Sequence, residues 1–138
     1  MPLSAQDALV YLMIVAASAD DEMSRLELAR IEWLAAHLPV FAGYDLSRLG
    51  KVANACVDLI NGDEGLEGAL DLAIAALPKR LHDTAYALAV DVTAMDLKLE
   101  QEELRLLEMI RDRLDLDRLV TAAVETATRA RLRRAAVQ

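Results

Sequence analysis

Two stretches of the chain, residues 20–34 (DDEMSRLELARIEWL) and 96–110 (DLKLEQEELRLLEMI), repeat one pattern. Each follows a long apolar segment, and each then continues with the spacing of an amphipathic helix. The repeat therefore predicts two pseudo-symmetric halves, each an acidic helix–loop–helix unit. The identical pairs, at a constant offset, are Asp20/Asp96, Glu27/Glu103, Leu28/Leu104 and Glu32/Glu108.

The composition of the whole chain also favours helices in a single domain. Its 138 residues are 55% hydrophobic, with only 5 Gly and 3 Pro, which suits one domain over residues 1–138 and favours helix over sheet. We predict an all-α fold of about seven helices in a single bundle. Helix one is apolar nearly all round, so we expect it at the centre. The predicted helices cover about residues 5–19, 24–38, 45–61, 66–77, 79–95, 100–114 and 117 onward, with Ser4, Ser24, Asp45 or Ser47, and Asp115 or Asp117 as amino-terminal caps.

The net charge of -8 limits the classes of partner. Nucleic-acid binding needs clustered Lys and Arg, so we expect none, whereas a cation or a basic protein partner is compatible with this charge. The longest apolar run, about residues 8–19, is too short to span a bilayer, and no basic residue precedes it as in a signal peptide. A cytoplasmic protein without a transmembrane segment is the expectation.

Several single residues have ordinary structural interpretations. Cys56 is the one cysteine, so no disulfide or thiolate zinc cluster is predicted, and its apolar neighbours indicate a buried thiol. His37 and His82 lack a partner at HxxxH spacing, so they are predicted to be solvated or capping residues. Asp91 is expected to pair with an arginine, or else to support an acidic site. The Arg-rich end suits a helix carboxyl terminus, or binding to the acidic surface of another copy or to an anionic membrane.

The repeated glutamates are the candidate functional residues. Glu27 precedes Ile31, Leu34 and Leu38 at helical spacing, and Glu103 precedes Leu107, Ile110 and Leu114 in the same way. Each glutamate therefore takes the first position of a buried stripe. A carboxylate there requires hydrogen-bond donors, a counter-charge or a proton.

Two interpretations of these acids stay open at this point. In the first, they are helix caps, since Ser24-x-x-Glu27 is a capping box, although Glu100 is a poorer cap in the second copy. In the second, both halves bring their carboxylates to one divalent cation, and oxygen-only ligands favour Ca²⁺ or Mg²⁺. An EF-hand is excluded because Arg25 and Ile31 stand where that loop needs Gly and Glu. The predicted metal ligands are Asp20, Glu27, Asp96 and Glu103.

The chain resembles the TerB-like tellurite-resistance family. The resemblance lies in an apolar helix followed by Ala-x-Asp-Gly-x-Ile/Leu-x-x-x-Glu, which occurs here as residues 18–27 (SADDEMSRLE) and 94–103 (AMDLKLEQEE). It implies an all-helical fold with two pseudo-symmetric halves and a metal at the paired Asp and Glu. The glycine of the motif is replaced by Asp21 and Leu97.

The resemblance also implies a function, a non-enzymatic role in the response to tellurite or metal stress. Similar modules occur in a membrane-anchored DnaJ-like co-chaperone. The alternative is therefore a protein–protein interaction module without metal, in which the repeated acids are caps. Tellurite is an oxyanion that an acidic cluster repels, so direct tellurite binding is not expected.

Overall fold

The predicted all-α fold is confirmed. The computed structural model describes residues 3–18, 23–95 and 101–136, with the backbone alone at 101–103, and these ranges form seven α-helices without a strand. None of these helices is long and apolar enough to cross a membrane. The helices are α1 (Ala5–Ala17), α2 (Arg25–His37), α3 (Leu49–Ile60), α4 (Gly65–Ala76), α5 (His82–Thr93), α6 (Gln101–Leu114) and α7 (Arg118–Arg131).

Helix α1 is the central element, as its sequence predicts. Every residue from Asp7 to Ala17 is buried, and α2, α3, α4, α5 and α6 all contact it. A helix that is apolar all round has no face to present to water, so its neighbours must cover every side. Most of the hydrophobic core is therefore assembled around α1.

Helix α5 is a second central helix, which the sequence analysis did not predict. Helical spacing predicts one apolar stripe on it (Leu81, Ala85, Leu88, Val92 and Met95), but the structure buries residues 85, 86 and 88–93. It packs against α1, α2, α6 and α7. The buried polar residues Asp91 and Thr93 interrupt the apolar pattern and concealed this burial. Thr93 satisfies its hydroxyl within the helix by donating to the carbonyls of Ala89 and Val90.

The helix ends show which caps are formed. Ser4, Ser24 and Asp117 each accept an amide hydrogen bond at the start of α1, α2 and α7. Predicted helices three and five begin instead as 3₁₀ turns, Leu46–Arg48 and Lys79–Leu81, and α5 ends at Thr93 rather than at residue 95. Asp45 caps the first of these turns through the amide of Ser47.

The two predicted halves correspond to the helix pairs α1–α2 and α5–α6. Their first helices contact each other at the centre of the bundle. The acidic loops 19–22 and 96–100 lie outside the described residues. The pseudo-symmetry of the halves therefore stays a prediction.

The central position of α1 predicts that truncating one of its leucines destabilises the protein far more than truncating an exposed leucine of α7. Leu12→Ala removes a side chain that is 0% exposed and should lower the free energy of unfolding by about 3 kcal/mol through lost burial and a cavity. Leu119→Ala, at a residue 79% exposed on α7, should change it by under about 0.5 kcal/mol. Urea unfolding of both variants measures the difference. Equal losses would contradict the placement of α1.

Candidate functional site

Glu27 is a buried carboxylate at the amino end of α2. Its residue is 1% exposed, and Ile31 and Leu34 continue the same buried stripe, as predicted. Glu27 Oε1 accepts a hydrogen bond from the Ser24 amide at 3.0 Å, and Ser24 Oγ accepts from the Glu27 amide at 3.1 Å. The predicted capping box is therefore confirmed at this residue.

The capping bond does not exclude a second role for the same carboxylate. An ionised carboxylate accepts at both of its oxygens, so the bond from the Ser24 amide to Oε1 is one of several contacts that it can make at once. The positive end of the α2 dipole also favours a carboxylate at this position. Both interpretations of Glu27 are thus compatible with its geometry.

The other three predicted ligands lie outside what the structure describes. Asp20 and Asp96 fall in the two acidic loops, and Glu103 is in the first turn of α6, where only the backbone is described. Within the described part of the chain, no cluster of three His, Cys, Asp or Glu residues is arranged to hold a metal ion. That search included only Glu27 of the four. Their convergence stays a prediction.

Asp91 forms the expected pair with arginine, and it does so twice. Its carboxylate accepts from Arg30 Nε at 2.6 Å and Nη2 at 3.1 Å, and from Arg131 Nη2 at 3.4 Å. The hydrogen bond to Asp91 raises the pKa of Arg30, so this guanidinium stays charged. Since Arg30 lies one turn beyond Glu27, the ion pair ties α2, α5 and α7 together beside the candidate carboxylate.

Asp7 is a second buried acid on a central helix. Its amide donates to Ser4 Oγ in the amino-terminal cap of α1. The Asp7 carboxylate accepts from Tyr44 OH at 3.1 Å and Arg48 Nη2 at 2.6 Å. Burial, reinforced by Asp7, raises the pKa of Tyr44 to about 12. An acid at the end of an apolar helix was the available signal for such a partner.

The two histidines contact backbone carbonyls, which agrees with a capping role. His37 Nδ1 lies 2.8 Å from the carbonyl oxygen of Trp33, and its ring stacks on the Trp33 indole at 4.4 Å. His82 Nδ1 lies 3.3 Å from the carbonyl oxygen of Leu114, the last residue of α6. Cys56 is buried as predicted, with its thiol 3.7 Å from the Tyr11 carbonyl oxygen.

Sequence reasoning missed a groove that lies on α5 between α6 and α7. We call it the α5–α7 groove, because the three helices α5, α6 and α7 line it. Its floor runs from Tyr86 on α5 to Ala94, the residue that follows α5, and its volume is about 590 Å³. Leu107, predicted to be in a buried stripe, is half-buried on its α6 wall, while Leu106 is buried in its place. The exposed Leu104 and Leu132 lie on opposite walls.

Comparisons with protein-family models, with curated proteins and with solved structures find no match for this chain. The likeness to the TerB-like family consequently rests on the repeated motif and stays a proposal.

The capping box predicts a stability loss that is independent of metal. Ser24→Ala removes the acceptor for the Glu27 amide and should lower the free energy of unfolding by about 1 kcal/mol. The loss should be the same with a chelator and with excess Ca²⁺ or Mg²⁺. Ser47→Ala, at an exposed hydroxyl, is the control and should cost under about 0.5 kcal/mol. A Ser24→Ala loss that appears only with cation would show that this cap is secondary to a metal.

The Asp91 ion pair predicts a larger loss of stability than the Ser24 cap does. Asp91→Asn leaves Arg30 and Arg131 without their counter-charge and should cost about 2 kcal/mol, less than a fully buried pair because both arginines keep contact with solvent. Asp58→Asn changes an exposed acid of α3 and serves as the control. Chemical denaturation at neutral pH compares them. A similar small change in both variants would show that Asp91 does not hold α7 in place.

Proposed function

We propose that this chain is a non-enzymatic, TerB-like helical module of the cytoplasm that binds Ca²⁺ or Mg²⁺ and acts in the response to tellurite or metal stress. Asp20, Glu27, Asp96 and Glu103 are the proposed ligands. The observation that carries the proposal is the Glu27 carboxylate, which is 1% exposed where the first acidic loop enters α2. The same residue type recurs at Glu103 in the second copy.

Electrostatics explains why a cation suits this set of residues. Four carboxylates brought together repel one another, and removal from water strengthens that repulsion. A divalent cation offsets it, and all-oxygen donors match the preference of Ca²⁺ and Mg²⁺ rather than Zn²⁺. The capping bond at Glu27 would hold the carboxylate in one orientation before a cation binds.

The state of the thiol supports a role other than oxyanion reduction. Cys56 is 0% exposed, and burial raises the pKa of its thiol to about 12. The thiolate is the reactive form, so Cys56 is a poor nucleophile at neutral pH. The net charge of -8 also repels an anion such as tellurite. A cation is therefore the better-matched ligand.

A second function is favoured by a specific contact, the capping box at Glu27. In this alternative the repeated acids are caps, and the chain is an interaction module without metal. The two proposals differ in the response of the folded state to cations.

Thermal unfolding with chelator and with millimolar Ca²⁺ or Mg²⁺ separates these proposals. A ligand that binds only the native state raises the melting temperature, so the unchanged chain should gain stability with one of the cations. The double change Glu27→Gln, Glu103→Gln should abolish the gain, although glutamine keeps the capping geometry. Glu32→Gln with Glu108→Gln is the matched control, because these acids are also repeated but lie exposed.

Two results of this experiment would overturn the proposal of cation binding at these four acids. If neither cation shifts the melting temperature of the unchanged chain and neither gives calorimetric heat, the acids are caps. If the control pair removes the gain as fully as the Glu27 and Glu103 pair, the cations bind the acidic surface in general. Either outcome leaves the interaction module as the function.

A further inference from the structure

The α5–α7 groove exists because α6 and α7 both pack on α5 and stand apart on its two sides. Helix α7 runs parallel to α5, since Tyr86 meets Glu125 and Asp91 meets Arg131. Helix α6 runs the opposite way, with its last carbonyl beside His82. The floor from Tyr86 to Ala94 is about 12 Å long at the rise of an α-helix.

The lining of the groove is mainly apolar. Val90 lies on its floor, Leu104 and Leu107 on the α6 wall, and Leu132 on the α7 wall. Leu104 is 41% and Leu132 40% exposed, so apolar surface on both walls is open to solvent. The volume of about 590 Å³ is typical of a small-molecule pocket rather than of a packing defect.

Charge is distributed unequally along the groove. At the Tyr86 end, the Glu125 carboxylate accepts from Tyr86 OH at 2.5 Å and lies 3.8 Å from Arg111 Nη1, so this end is polar and internally neutralised. On the α7 side, Arg129 and Arg133 line the groove, and neither forms an ion pair with any acid among the described residues. The two guanidinium groups therefore place positive charge on the α7 wall, in a protein whose net charge is -8.

We propose that the α5–α7 groove binds a single-chain amphipathic carboxylate, such as a medium- or long-chain fatty acid. The hydrocarbon chain lies over Val90 between Leu107 and Leu132, where burial removes apolar surface from water. The carboxylate binds Arg129 and Arg133, whose guanidinium groups suit a planar anion. Glu108 on the opposite wall keeps the anion on the α7 side.

Other occupants fit these features less well. An anionic bilayer would meet a protein of net charge -8, and its headgroups lie in a plane, whereas the arginines border a concave groove. A partner helix, about 10 Å wide with its side chains, would have to continue past the Tyr86–Glu125 pair, which occupies one end of the groove. One flexible chain with one charged end matches both the groove and its rim.

Titration calorimetry of the full chain, stripped of lipid and kept below the micelle concentration of the probe, tests this proposal. Dodecanoate should bind with a dissociation constant below about 100 μM, and dodecyltrimethylammonium should bind much more weakly. Arg129→Gln with Arg133→Gln should weaken dodecanoate binding about tenfold while leaving the binding of neutral dodecanol unchanged. Leu104→Asn with Leu132→Asn should weaken both. Both pairs change exposed residues, so the fold should be retained, as circular dichroism would verify.

Matched changes outside the groove provide the control. Arg134→Gln and Leu119→Asn alter an exposed arginine and an exposed leucine that do not line it, and they should leave binding unchanged. Equal weakening by the controls, or no binding of dodecanoate at about 1 mM, would overturn the proposal. So would a dimer that the leucine pair dissociates, or binding to anionic vesicles alone, because the groove would then serve a second copy or a membrane. None of these results bears on cation binding at Glu27.

Discussion

Complete burial of α1 is the constraint to which the rest of the structure conforms. All its residues from Ala8 to Ala17 are at most 5% exposed, so other elements must cover it on every side. At about 25 cal/mol per Å² of apolar surface, this burial is a main source of stability. The carboxylate at its amino end, Asp7, is tolerated because Tyr44 and Arg48 provide hydrogen bonds and a counter-charge.

A second buried helix is what links the core to the surfaces where function is proposed. Helix α5 covers α1 and is itself covered by α2, α6 and α7. Asp91 holds two of these helices, α2 through Arg30 and α7 through Arg131, and His82 Nδ1 lies 3.3 Å from the last carbonyl oxygen of the third, α6. Because α6 and α7 take different sides of α5, a groove stays open between them. Polar ties along one helix therefore shape both that groove and the position of α2, which carries Glu27.

Sequence patterns predict the elements well and the tertiary contacts poorly. The unbroken apolar run placed α1 at the centre, and Ser-x-x-Glu identified the cap at Glu27, because both signals are local. The pairing of Asp91 with an arginine was predicted, but its partners Arg30 and Arg131 lie far away in the sequence, so the full burial of α5 was not. The Asp7–Arg48 contact and the groove depend equally on residues far apart in sequence. Of the proposed cation ligands, Glu27 is placed by the structure, whereas Asp20, Asp96 and the Glu103 side chain are not described.

The central claim is that the two acidic repeats serve one cation, with Glu27 among its ligands. The most direct measurement is a crystal structure grown with Ca²⁺, in which anomalous scattering locates the ion. The account predicts one peak about 2.4 Å from a Glu27 carboxylate oxygen, with oxygens of Asp20, Asp96 and Glu103 at similar distances. A map without such a peak, in which the four carboxylates lie more than about 10 Å apart, would contradict it, because no single ion reaches ligands at that separation.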